Sequence, residues 1–163
     1  MALALSESAA QRIAQVRTRY PDAQAACLPA LHIAQREFGH LSDEAVELIA
    51  NTLGLPIAHV YGVVTFYTMF HRHPVGENVL MVCTNVSCML RGSDRVMERI
   101  EAKLGIKPGE TTADGKFTLV EEECLAACAN APMAICGKRY FLDLDDAKTD
   151  TMLDELRAKP EHY

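Results

Sequence analysis

VCTNVSCMLRG at positions 82–92 and ECLAACANAP at positions 123–132 hold four of the six cysteines of the chain, as the pairs Cys83/Cys88 and Cys124/Cys128. Four residues lie inside the first pair, three inside the second, and 35 between the pairs. Each pair closes a short loop suited to one metal atom, and neither has the two-residue spacing of a thioredoxin-type redox couple. We read them as four thiolate ligands of a single metal centre. Three chemistries fit the spacing: a tetrathiolate zinc site, two disulfides, or a [2Fe–2S] cluster with two thiolates on each iron.

Working outward, the 163 residues suffice to bury a core without covalent staples, so the cysteines are not needed for stability. Met1 to Ala10 lacks the basic start and long apolar run of a secretory signal and the arginine-rich character of a transit peptide. A reducing, cytoplasmic compartment is therefore expected, where paired cysteines serve metal or redox chemistry more often than disulfides. The most apolar stretch, Val60 to Phe70, is about half the length of a membrane span and is interrupted by Gly62 and Thr65. No direct membrane span is expected. The net charge of -6 offers no basic face for phosphates, which argues against nucleic acid as a partner.

Composition divides the chain. Residues 1–76 hold 5 Lys/Arg against 6 Asp/Glu, whereas residues 77–163 hold 11 against 16. Five of the six histidines fall in the first part and every cysteine except Cys27 in the second. The first part reads as four helices. Ile13, Val16 and Tyr20 recur at helical spacing up to Pro21; Leu28, Leu31, Ile33 and Phe38 stop at Gly39. Ser42 is placed to cap a third helix, with Leu41 stapling onto Val46, and Gly54 closes it. Pro56 opens a fourth, carrying Val60, Val63, Val64, Tyr67 and Phe70. Residues 71–78 combine Pro, Gly and polar groups and read as a solvated linker. The second part alternates: a strand at 79–82, a helix through Val96, Ile100 and Leu104, an Asp114-Gly115 turn, strands at 117–120, 133–136 and 140–142, and a final helix at 147–158. The expected layout is α/β: an N-terminal helical bundle, residues 1–76, followed by a domain, residues 77–163, with a mixed sheet covered by helices.

The surroundings of the cysteines favour the cluster over zinc. Four thiolates and a ferric cluster carry net negative charge, which calls for nearby donors. Ser87, Arg91, Gly92 and Ser93 lie where a helix begins after Cys88, and the small residues Ala126, Ala127, Ala129 and Ala131 let backbone amides approach sulfur.

The two cysteine segments, together with LGIKPGETTADGKFTL at 104–119 and YGVVTFYTMF at 61–70, closely resemble the 24-kDa-type [2Fe–2S] subunits of respiratory complex I, over nearly the whole chain. The resemblance implies a thioredoxin-like ferredoxin domain with one [2Fe–2S] cluster held by Cys83, Cys88, Cys124 and Cys128. It also implies an electron-transfer role in an NADH:quinone oxidoreductase. The cluster would accept single electrons from FMN, and the FMN and NADH sites would lie on a flavoprotein partner subunit. Further peripheral-arm subunits would complete the assembly, holding the chain at the cytoplasmic face of the inner membrane. Equivalent diaphorase subunits of NAD-dependent hydrogenases and formate dehydrogenases share the pattern, and a zinc-stabilised scaffold is the alternative of a different class. That family often has Gly at the position of Ala126. No dinucleotide fingerprint, P-loop or catalytic triad occurs, so no catalytic residue is expected in this chain itself.

The remaining candidates have plainer readings. Cys27 and Cys136 suit buried apolar positions. His32, His40 and His59 show no metal-ligand spacing, and His71-Arg72-His73 reads as a solvated linker end. Glu121-Glu122-Glu123 reads as an exposed strand end, and the face of Tyr61, Phe66, Tyr67, Met69 and Phe70 reads chiefly as core, with part left to dock a partner.

Overall fold

A computed structural model describes residues 3–161, which form two compact units dividing between Pro74 and Val75.

The first unit is helical. In α1 (Glu7–Arg17) the Ser6 hydroxyl caps the first turn by accepting from Ala9 N–H, and Ile13 is buried. The second helix, α2 (Cys27–Phe38), ends at Gly39, whose φ of 79° lies in the left-handed half of backbone space where a Cβ is costly. In α3 (Asp43–Leu53) Ser42 is the cap, accepting from Ala45 N–H, and both Leu41 and Val46 are buried, as the staple requires. Leu31, Leu41, Ile49 and Leu53 are fully enclosed in the core of this unit, each worth about 1.5–3 kcal/mol in apolar burial.

The fourth helix, α4 (Ile57–Phe66), is shorter than the sequence pattern suggests. Tyr67 leaves it with extended backbone, φ -93° and ψ 116°. The reason lies in α2. Gln35, buried, donates from Nε2 to the Met69 carbonyl at 2.9 Å and accepts from the His71 N–H at 2.8 Å, while the His71 carbonyl accepts from Leu41 N–H. These long-range bonds hold residues 69–71 against the bundle and take the place of further helical turns. His71 and Arg72 are thus not solvated linker. Burial lowers the His71 pKa, and Arg72 pairs with Asp43 and lies over the Tyr61 ring at 4.5 Å. Phe70 is buried against His32, but Phe66 is 77% exposed, so the aromatic face is only partly core.

The second unit is a four-stranded mixed sheet in the order β2-β1-β3-β4. The central strand β1 (Asn78–Cys83) runs parallel to β2 (Phe117–Glu122) and antiparallel to β3 (Ala134–Cys136), which pairs antiparallel with β4 (Arg139–Phe141). Side chains alternate across a strand. Leu80 and Val82 share one face with Phe117, Leu119, Ala134 and Cys136, and there they meet Val96, Met97 and Ile100 of α6 (Ser93–Leu104) and Met152, Leu153 and Leu156 of α7 (Asp146–Ala158). Cys83, one residue past Val82, belongs to the opposite face with Met133 and Ile135. Pairs of Arg95 with Asp146 and of Arg99 and Lys103 with Asp150 join α6 to α7 at the surface, where such pairs contribute little each.

Two features fix the entry of β1. Gly76 sits where a Cβ would come within 2.7 Å of the Phe117 carbonyl carbon, and its N–H donates to Thr118 Oγ1 at 2.7 Å. Asn78 is fully buried. Its Nδ2 donates to the carbonyls of Lys116 and Leu156, and its Oδ1 accepts from the Glu161 N–H at 3.0 Å and, at 3.8 Å, from the Cys136 thiol. One amide therefore ties β1 to the approach to β2, the last turn of α7 and residue 161. Asn78→Ala should destabilise the protein by about 2–3 kcal/mol, because it strands several buried polar groups. Urea unfolding checks this, and a loss below about 0.5 kcal/mol would contradict it.

Candidate metal centre

Parallel pairing places the cysteines. Cys83 is the last residue of β1 and lies opposite Glu122, the last residue of β2, so Cys124 follows two residues later at the same end of the sheet. Thr84 N–H donates to the Glu122 carbonyl and its hydroxyl to Glu121, which extends the pairing into the loops. Glu121 and Glu123 are exposed.

The chain then forms a five-residue helix, α5 (Val86–Leu90), entered through Asn85, whose side chain accepts from Val86 N–H. This helix was not legible as a periodic pattern because a single turn has no repeat. It turns Cys88 inward, to 1% exposure, while Val86, Met89 and Leu90 face solvent. Cys88 is thus part of a helix, not a residue preceding one, and α6 starts after it at Ser93.

Cys83 and Cys88 are buried together with Ala131 and Met133, and the half-buried Leu125, Ala127 and Ile135 pack on them. Burial pushes the Cys88 thiol up to about 11; a hydrogen bond with Cys83 and the charges of Cys83 and Cys128 add to the rise, while the Met133 backbone amide acts against it. The Cys83 thiol lies 4.0 Å from the Glu123 carbonyl, its acceptor across the strand ends. Cys124 and Cys128 are exposed, the latter opening a short 3₁₀ turn, Cys128–Asn130. Between them Ala126 has φ 62°. Asn130 N–H closes on the Ala127 carbonyl at 3.0 Å, and its side chain donates to Asp143. The bond between Ala131 and Pro132 is cis.

The structure therefore gathers Cys83 and Cys88 in contact, with Cys128 near enough to act on Cys88 electrostatically. It does not draw all four sulfurs into one shell: among the described residues no three or more His, Cys, Asp or Glu side chains are grouped to hold a metal ion. All six cysteines are free thiols, with Cys27 and Cys136 buried apart from this site. Burial, then the charge of Glu161, pushes the Cys136 thiol up to about 12. The donor chemistry nonetheless fits an iron–sulfur group. Four soft sulfurs lie at one end of a sheet, with Cys83 closing β1, Cys88 in α5, and Cys124 and Cys128 in the segment after β2, and among the described residues the backbone N–H groups from Leu125 to Ala129 reach no acceptor, which leaves them available to anionic sulfur.

Cysteine thiols at the strand ends of a small mixed sheet define an α/β scaffold with the donor type that a metal–sulfur group requires. The chain belongs to the thioredoxin-like [2Fe-2S] ferredoxin family, whose pattern it matches over residues 13–157, and with it carries one [2Fe–2S] cluster. It is 47% identical over 148 residues to an NADH-quinone oxidoreductase subunit of Rhizobium meliloti, covering 91% of this chain and 88% of that protein. It is 42% identical over 149 residues to the mitochondrial NADH dehydrogenase [ubiquinone] flavoprotein 2 of Dictyostelium discoideum, covering 90% of this chain and 60% of that one. A crystal structure of NAD+-reducing [NiFe]-hydrogenase in the H2-reduced state shares the fold with a TM-score of 0.70 at 24% identity, covering 82% of this chain and 22% of the hydrogenase chain.

The difference in exposure has a direct readout. In the metal-free protein at pH 8, a short iodoacetamide pulse followed by mass spectrometry should label Cys124 and Cys128 about tenfold or more faster than Cys83 and Cys88. Equal labelling of all four would contradict the buried pair.

Proposed function

We propose that this chain is the [2Fe–2S] electron-transfer subunit of the NADH-oxidising module of an NADH:quinone oxidoreductase, with Cys83, Cys88, Cys124 and Cys128 as the cluster ligands. The observation that carries the reading is the 47% identity to a named subunit of such a complex over nearly the full length of both proteins. The relatives are subunits, so the chain works with partner subunits, and the specific partner proposed is the flavoprotein that holds FMN and the NADH site. When bound, the cluster supplies a one-electron acceptor beside a two-electron donor.

The chain's own residues supply the rest. Cys83 and Cys88 offer a buried, preformed pair, and Cys124 and Cys128 complete the set from an exposed loop. The 83/88 side excludes water through Met133, Ala131 and Leu125, and the loop amides offset the negative charge of the sulfurs. Among the described residues no helix is long and apolar enough to cross a membrane, so attachment to a membrane complex falls to partner subunits.

Reconstituted protein should be red-brown, with visible absorption bleached by dithionite, and a colourless zinc-loaded protein would overturn the reading. Cys124→Ser should abolish or alter the EPR signal of the reduced cluster, and an unchanged spectrum would refute the ligand assignment. NADH should reduce the cluster only when the flavoprotein subunit is added. Co-purification with quinone-reducing subunits, as opposed to those of a hydrogenase or formate dehydrogenase, checks the assembly.

A further inference from the structure

Cys124 and Cys128 are four residues apart, so in an extended chain their Cα atoms would be about 13 Å from one another. Both sulfurs reach one centre only if the loop reverses between them. The middle residue supplies the reversal: Ala126 stands at φ 62°, in the left-handed region that an L residue with a Cβ disfavours and that Gly or Asn enters more readily. Only Ala126 and Asp143 do so among the described non-glycine residues. On either side the loop is anchored, since Leu125 and Ala127 pack on Cys83, Cys88 and Met133, while Ala126 itself is exposed. Ala127 follows with φ -107° and ψ 46° and leads into the turn that begins at Cys128. A disfavoured backbone held between two packed neighbours, at an exposed position where no packing selects the side chain, points to a role for the backbone conformation.

We infer that Ala126 is a positioning residue for the cluster: its left-handed backbone turns the 124–128 loop back on itself, so that on cluster binding Cys124 and Cys128 serve one centre with the buried Cys83/Cys88 pair. The inference rests on the ligand assignment above and goes beyond it, because it makes cluster retention depend on a backbone angle at a residue that is not a ligand.

Three substitutions separate backbone from bulk. Gly and Asn accept the left-handed region, whereas Val, similar in size to Asn, is strongly opposed to it. The full chain carrying Ala126→Gly, Ala126→Asn or Ala126→Val is reconstituted, and iron and sulfide per chain, the EPR spectrum after dithionite and far-UV circular dichroism are recorded. Gly and Asn should retain the wild-type cluster content and spectrum, while Val should lose cluster several-fold with its circular dichroism unchanged. Wild-type content and spectrum in Ala126→Val, or a loss in Ala126→Asn as large as in Ala126→Val, would overturn the inference. Should Ala126→Val fail to fold, the rate of iron release to EDTA decides: Ala126→Asn should match the wild type, and release several-fold faster would show that bulk is what matters. Cys124→Ser, run alongside, tests the ligand assignment separately; a wild-type spectrum in that variant would sink the assignment and the inference with it, whatever the variants at position 126 do.

Discussion

The parallel pairing of β1 with β2 is the constraint on which the second unit depends. Parallel strands end at the same edge, so whatever follows Cys83 and whatever follows Glu122 emerge side by side. Had the two strands run antiparallel, the cysteine pairs would leave from opposite edges and no common centre could form. The crossover that permits the parallel arrangement is α5 and α6, and α6 packs with α7 over the face that carries Leu80 and Val82. Alternation along β1 then puts Cys83 on the opposite face, with Met133 and Ile135. The core under α6 and α7 and the candidate metal centre are thus segregated by the two-residue period of one strand.

Much of this was legible in the chain. Helix ends marked by Gly39 and Gly54, and the cap at Ser42, are local chemistry that needs no tertiary partner, and they stand where the sequence places them. The strands and the final helix follow in the same way from apolar runs bounded by turns. The early end of α4 was hidden because its cause is Gln35, more than thirty residues away, whose side-chain amide takes the backbone of residues 69 and 71. For the same reason His71 and Arg72 read as linker and are held against the bundle.

At the site, spacing singled out four cysteines; the structure buries Cys83 with Cys88, leaves Cys124 and Cys128 exposed, and buries Cys27 and Cys136 in other clusters. The unequal environments of the four were not visible, since burial of Cys88 depends on a single helical turn, and Cys124 and Cys128 lie exposed on either side of a left-handed residue, Ala126, that no periodic pattern announces. A thiol enclosed beside another thiol is hard to ionise, which is why the Cys88 pKa rises; under the proposed ligand assignment, bound metal would supply the stabilisation that the apolar surroundings withhold. Polypeptide that is costly to charge when empty is suited to bind a group that brings positive iron with it.

Gly76 bears on how such a unit is joined to other polypeptide. Its missing side chain lets the backbone lie directly against Phe117 and Thr118, so the segment that enters β1 has a fixed seat with no room for a substituent. Variation in length or composition ahead of the sheet can be absorbed up to that seat and not at it. A recombination event that moved this α/β unit behind a different upstream segment would therefore have its seam before residue 76, with the glycine travelling along as part of the transferred module.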